Sequence, residues 1–260
     1  LENNIMTLKN LIHGKSDNHF DIKFMLDNIG HPDSYIRDNL IYQAFCFVIH
    51  EDKIDTNMTE HILETCLDEN HLYFNLNQSK KDDSVLVRSF SALVIALILY
   101  KDASQQKISK TLVTNALNKS VEYMQQEFDY RGYIDGKGWA HSVAHGSDLL
   151  SNVIAHPLCC ESLHTKCLDI IRKCLITDYA YIDEEDERLL NVIDKLLKKG
   201  MSDIELKRWV ERLFNYEEQD YYKNHRVAWN VKKFSTTLYL YLLKNKSYPE
   251  TENWLNIKYM

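Results

Sequence analysis

Two histidines four residues apart, His141 and His145, stand with Asp148 and Asn152 in the stretch EFDYRGYIDGKGWAHSVAHGSDLLSNVI, residues 127–154. Spacings of four, seven and eleven residues from His141 stack these side chains on one face of a helix. Trp139, Val143, Gly146, Leu150, Val153 and Ile154 fall on the other face. Such a stripe admits several chemistries. Two imidazoles a turn apart can share a metal ion, with the carboxylate of Asp148 as a third ligand and a fourth from Asp129, Asp183, Glu184 or Glu187. The same rings can act as general acid and base near neutral pH, or recognise a ligand by hydrogen bonding without metal. The plain structural alternative is a polar face whose histidines bond across a helix stack to carboxylates, backbone or water.

The surrounding pattern narrows these options. The first His is followed by Ser rather than Glu, so the HExxH signature of zinc proteases is missing. There is no GxSxG, no cysteine placed near a turn with a histidine, no Walker loop and no GxGxxG. Gly136-Lys137-Gly138 precedes the predicted helix and can present backbone N–H groups to an anion, although turn formation is the commoner reason for such glycines. No catalytic residue, metal or cofactor is assigned from the sequence, and whether the protein is an enzyme stays open.

The elements that must position this stretch are helical. Only seven glycines and three prolines punctuate the 260 residues, and the 3.6-residue period recurs with no convincing strand. Helices are predicted over 20–29 with Gly30 as its stop, and over 34–50 after Pro32 in a first turn. Others are expected over 57–70, 84–100, 108–128, from Trp139 to about Ala155, and from Pro157 to about Ile176. Later ones cover 184–199, 202–214 from a Ser202/Glu205 capping box, and 220–244. The segment before Ser16 is weakly amphipathic and open to fraying. A polar link, NLNQSKKDD, precedes Ser84, and a tail with Trp254 after Pro249 is expected to pack back as a cap. Trp139, Trp209 and Trp229 are read as core.

The totals set limits on function. A net charge of −7 opposes a phosphate-backbone footprint, so nucleic acid is an unlikely partner class. Four of the six cysteines sit in apolar helical patterns and none forms CxxC, which points to reduced core thiols. The longest apolar run, Ser91 to Tyr100, falls short of the ~20 residues that cross a bilayer. No leader peptide is read at the start, and a soluble cytoplasmic protein is expected.

Every second predicted helix opens on the same plan, a polar residue followed by an apolar run. Arg37, Arg88, His141, Arg188 and Asn230 superpose, at intervals of 42 to 53 residues. That spacing suits two-helix units of the HEAT type, roughly 40–47 residues long and extended by loops. Arg37 and Arg88 open helices that are otherwise apolar all round, where an unpaired charge is very costly. Each must find a carboxylate, with Asp38, Asp129, Asp148 and Glu187 as candidates, or an anionic ligand.

Several of these residues carry a resemblance. Arg37-Asp38, Arg88-Ser89-Phe90-Ser91-Ala92-Leu93, Glu127-x-Asp129-x-Arg131-Gly132-Tyr133, the central Gly138-Trp139-Ala140-His141-x-x-Ala144-His145 with Asp148-Leu149-Leu150, and Glu185-Asp186-Glu187-Arg188-Leu189 resemble the bacterial DUF2785 family. The resemblance runs from about Asp33 to the last long helix. It implies an all-helical, intracellular bacterial protein and supplies no activity, substrate or cofactor. Gly146 departs from the alanine expected there and should loosen its helix slightly.

The expectation is therefore an all-α chain of 260 residues in one domain, a HEAT-like α-α superhelix of about five antiparallel helix pairs. Its expected role is binding or scaffolding through a groove lined by Arg37, Arg88, Asp129, Arg131, His141, His145, Asp148 and Arg188, with an unidentified protein or a small anionic ligand as partner and no membrane. The alternative is a metal-dependent hydrolase using His141, His145 and Asp148.

Overall fold

A computed structural model describes residues 2–15, 20–76 and 82–259. Within them the chain forms twelve α-helices, one π-type helical segment and one two-stranded hairpin, so the fold is predominantly helical. Ser16 and the middle of the polar NLNQSKKDD link lie outside the described residues. The chain divides into two compact units, Leu1–Cys159 and Cys160–Met260.

In the first unit, α1 (Glu2–Ile12) packs on the π-type segment Tyr35–Ile41 and on α3 (Tyr42–His50), which continues it. The short α2 (Ile22–Asp27) rests on α4 (Thr56–Cys66). α5 (Ser84–Gln105) is the central helix. It packs against α3, α4, α6 (Lys110–Gln126) and most extensively α7 (Ser142–Ala155). Its composition explains this position, because apolar residues surround it on all sides from Val85 to Leu99 and most of that stretch is buried. α5 is long and apolar enough to cross a membrane, unlike the shorter run read from the sequence, but most of it is buried inside the protein. Alternate helices thus form rows, α3–α5–α7 and α4–α6, with contacts between the rows.

In the second unit, α9 (Glu185–Lys198) packs on α11 (Tyr221–Asn245), while α8 (Glu161–Leu175), α10 (Asp203–Leu213) and α12 (Pro249–Tyr259) form a second row. Helix starts follow the side-chain caps. Asp21, Asp55, Ser109 and Asp220 each accept a backbone N–H three residues on, and Ser202 with Glu205 completes the expected capping box. The tail after Pro249 is a full helix, with Trp254 edge-on to Phe214 at 5.2 Å.

Several expectations need correcting. The stretch before α7 is a hairpin in which β1 (Tyr133–Ile134) pairs antiparallel with β2 (Gly138–Trp139). Gly136 and Gly138 have φ of 74° and 78°, left-handed values that make a turn and rule out a helix start. α7 therefore begins at Ser142 rather than Trp139, and His141, at φ 47°, is its cap residue. Trp139 and Trp229 are 39% and 50% exposed rather than core; Trp209, at 3%, is buried as expected. Pro32 and Pro157 precede their helices by several residues instead of opening them. Gly30 is not in the left-handed region; a Cβ there would strike the backbone of Val87, so the close approach of α5 explains it.

Candidate functional site on helix α7

α7 meets neighbours nearly all round. Ser142, Val143, Ala144, Gly146, Ser147, Leu149, Leu150, Ser151, Val153 and Ile154 are buried. His145, Asp148, Asn152 and Ala155 remain half-buried, as does the cap residue His141. The polar stripe read from the spacing is thus the one partly open face of a helix otherwise enclosed by protein.

The start of this stripe is held by the hairpin. The N–H groups of Ala140 and His141 donate to the Gly132 carbonyl at 2.8 and 3.3 Å. The Ser142 hydroxyl donates to the Asp129 carbonyl. Held so, His141 lies flat on Trp139, with ring centroids 4.2 Å apart and planes 9° apart. Tyr133 meets Trp139 edge-on at 5.0 Å, and His145 meets Phe90 edge-on at 5.1 Å. The two imidazole centroids are 5.8 Å apart. Rings therefore line the stripe at both ends of the His pair, an aromatic frame that helical spacing alone does not reveal. Among the described residues no three His, Cys, Asp or Glu side chains cluster closely enough to hold a metal ion.

The arginines turn inward. Arg37 is fully buried, donating Nη1 to the His31 carbonyl at 2.8 Å and Nη2 to the Lys137 and Trp139 carbonyls at 2.8 and 3.4 Å. It ties the hairpin to the Tyr35–Ile41 segment, with its guanidinium carbon 4.8 Å from the Phe90 ring centre. Its Nε lies 2.8 Å from Asp38, near enough for an ion pair but without the alignment of a hydrogen bond. Burial outweighs that pairing on both sides, lowering the Arg37 pKa and raising that of Asp38.

Arg88, 1% exposed, binds Glu127 in a bidentate pair, Nε to Oε2 at 2.7 Å and Nη2 to Oε1 at 2.9 Å. Its Nη1 donates to the Phe74 carbonyl and the Ser84 hydroxyl. Burial works against the Arg88 charge, but Glu127 more than offsets it, and the pKa rises. Glu127 stands in the family pattern but not among the carboxylates that the spacing offers to Arg88. Arg131 grips Asp129 through two nitrogens, Nε to Oδ1 at 2.9 Å and Nη2 to Oδ2 at 2.6 Å, and Nη2 also reaches the Asp82 carbonyl. The Asp129 hydrogen bond raises the Arg131 pKa.

In the second unit Arg188 is exposed on α9. Asn230, the last of the superposed positions, is buried on α11 and stitches the loop ahead of α9. Its Oδ1 accepts the Tyr181 N–H at 3.0 Å and its Nδ2 donates to the Tyr179 carbonyl at 2.8 Å. Three superposed residues, Arg37, Arg88 and Asn230, thus share one physical role, since each donates from its own helical segment to backbone carbonyls of a loop or turn.

Residues 72–240, well over half of the chain, match the model of a family described as a protein of unknown function, DUF2785. The chain belongs to the DUF2785 family. Neither curated proteins nor solved structures yield a match. The DUF2785 segment spans α5 to α10 and most of α11, and so contains Arg88, Glu127, the hairpin, the α7 stripe and Arg188; Arg37 precedes it.

Proposed function

We propose that this DUF2785 protein is a binding module whose recognition surface is the α7 stripe. The observation that carries this is the enclosure of α7 on every face except the line His141, His145, Asp148 and Asn152. A polar stripe on so enclosed a helix contributes little to the core, whereas neighbouring polar groups bordered by aromatic rings are what ligand sites use. The imidazoles supply donors suited to a carboxylate or phosphate, more strongly when protonated, and Asp148 supplies an acceptor for a donor group further along the ligand. The reading is a small anionic ligand or an acidic segment of a partner protein. Arg37, Arg88 and Arg131 act as positioning residues that fix the hairpin and the loops, and do not touch the ligand. Asp129 belongs with them through Arg131 and Ser142.

The architecture we propose is a HEAT-like α-α array. Its support is the alternation of rows within each unit and the recurrence of loop-stitching residues at the superposed positions. A cytoplasmic location is part of the same reading, supported by the use of Cys66, Cys167 and Cys174 as small buried residues of helix cores.

The test compares the thermal stability of the wild type with that of His141→Ala and His145→Ala across a panel of carboxylates, phosphates and acidic peptides. Both side chains are half-buried, and an unchanged helical signal in each variant is the control for folding. A panel member that raises the wild-type Tm but not that of either variant supports the stripe as the site. Equal responses in all three proteins place binding elsewhere and refute it.

A further inference from the structure

The second unit contains a cleft of about 440 Å³ whose lining includes no residue of the α7 stripe. Its walls are α8, the end of α9 with the Gly200 turn, and α10. We infer that this cleft binds a small organic anion, a phosphate monoester or carboxylate carried on an apolar or aromatic body.

The volume falls within the ~300–1,000 Å³ of small-molecule sites. The apolar part of the lining is Leu168, Leu196 and Trp209, and the Trp209 indole N–H donates to the Leu168 carbonyl at 3.1 Å, joining α10 to α8 across the base. The charged part is unequal in how it is used. Glu205 is engaged by Ser202 in the capping box, and Arg212 pairs with Asp169 at 3.0 Å. Lys199, at the end of α9, and Arg208, on α10, line the same space, and neither forms an ion pair among the described residues. Glu161 is the remaining acidic group on the rim.

The helix end in this wall does not oppose an anion. The last carbonyls of α9 are taken by the N–H groups of Lys199, Gly200 and Met201, which lessens the negative pole expected at a helix C-terminus. His164 on α8 also lines the cleft, and its Nε2 is buried with no hydrogen-bond partner. Burial first, and Lys199 second, lower its pKa and favour the neutral ring, with Glu161 acting in the opposite direction. An anion between Lys199 and Arg208 would cancel the Lys199 contribution and favour the imidazolium. Binding then strengthens as pH falls, with Glu161, Lys199, Glu205, Arg208 and Arg212 as the other charged groups facing the ring.

The test uses the full chain with isotopically labelled histidine, the His164 signal being assigned by its loss in His164→Gln. Phenyl phosphate is the probe, with inorganic phosphate testing the anion alone and benzyl alcohol the apolar body alone. Phenyl phosphate is expected to raise the His164 midpoint by about one pH unit. It should bind at least about tenfold more weakly to the Lys199→Ala/Arg208→Ala double variant, both side chains being on the surface. A His164 midpoint unmoved by saturating phenyl phosphate overturns the inference, as does an undiminished response in the double variant. Inorganic phosphate or benzyl alcohol acting as well as phenyl phosphate overturns the assignment of a mixed anionic and apolar ligand.

Discussion

The indole of Trp139 lies flat against the imidazole of His141, 4.2 Å between centroids and 9° between planes. One ring comes from the end of β2 and the other from the left-handed residue that caps α7. The stack helps to fix the direction of the side chain at the start of α7, and so sets where the α7 stripe begins.

Trp139→Ala is expected to lower stability by about 1 kcal/mol, the scale of an aromatic pair that is already partly exposed, with helix content unchanged. Trp139→Phe should retain part of that loss, since a smaller ring can still stack. Urea denaturation followed by circular dichroism measures both, and a Trp139→Ala protein as stable as wild type would show that the stack holds nothing.

Arg88 and Glu127 are a different matter, because both are 1% exposed and bonded bidentately. Glu127→Ala strands a buried guanidinium and is expected to cost about 3–5 kcal/mol. Arg88→Met/Glu127→Leu should be less damaging than the sum of its single changes. It will not reach wild-type stability, because the Phe74 carbonyl and the Phe128 and Asp129 N–H groups lose their partners. Denaturation midpoints of the four proteins complete the cycle; strict additivity would contradict the pairing.

Gly146→Ala should bring less than the ~1 kcal/mol gain in helix propensity that the exchange normally brings. The added Cβ would collide with Sδ and Cε of the buried Met124 on α6, so the end of that flexible side chain must shift. The cost of that shift is expected to offset most of the gain and leave stability within about 1 kcal/mol of wild type. In a Met124→Ala background the full gain should return, and the difference between the two backgrounds in denaturation midpoints is the readout; equal effects in both would contradict the contact.

The pH dependence of stability contains a part that belongs to His164. Its pKa is lowered from 6.5 in the folded chain, so the folded state binds fewer protons than the unfolded one. Stability is therefore complete above the unfolded value and declines as pH falls through it, until the lower folded midpoint is passed. Urea midpoints from about pH 8 to about pH 5 should fall more steeply in the wild type than in His164→Gln. Parallel curves would contradict the assignment.

Much of the fold is legible in the sequence, and the exceptions have physical causes. Helix positions follow from the apolar period, and the stripe from His141 to Asn152 coincides with the open side of α7 because burial on the other faces requires small or apolar residues there. The start of α7 is not legible because Trp139 fits the wheel equally well on either side of a turn, and only the left-handed Gly136 and Gly138 reveal the hairpin. The partner of Arg88 escapes sequence reasoning since Glu127 lies 39 residues away and no local rule links them. Gly146 reads as a weakness in the helix, and only the position of Met124 on a neighbouring element shows how little room a side chain would have there. That Arg37 and Arg88 need partners follows from their apolar helices, but whether those are protein or ligand depends on packing between helices.

The most direct test of the α7 stripe as a recognition surface is histidine imidazole NMR during titration with the anion or acidic peptide that stabilises the protein. The His141 and His145 signals are expected to move together and saturably, and the response should be lost in His145→Ala while the other histidine signals keep their positions. Signals of His141 and His145 that stay still while the ligand saturates the protein would contradict a recognition role for the stripe.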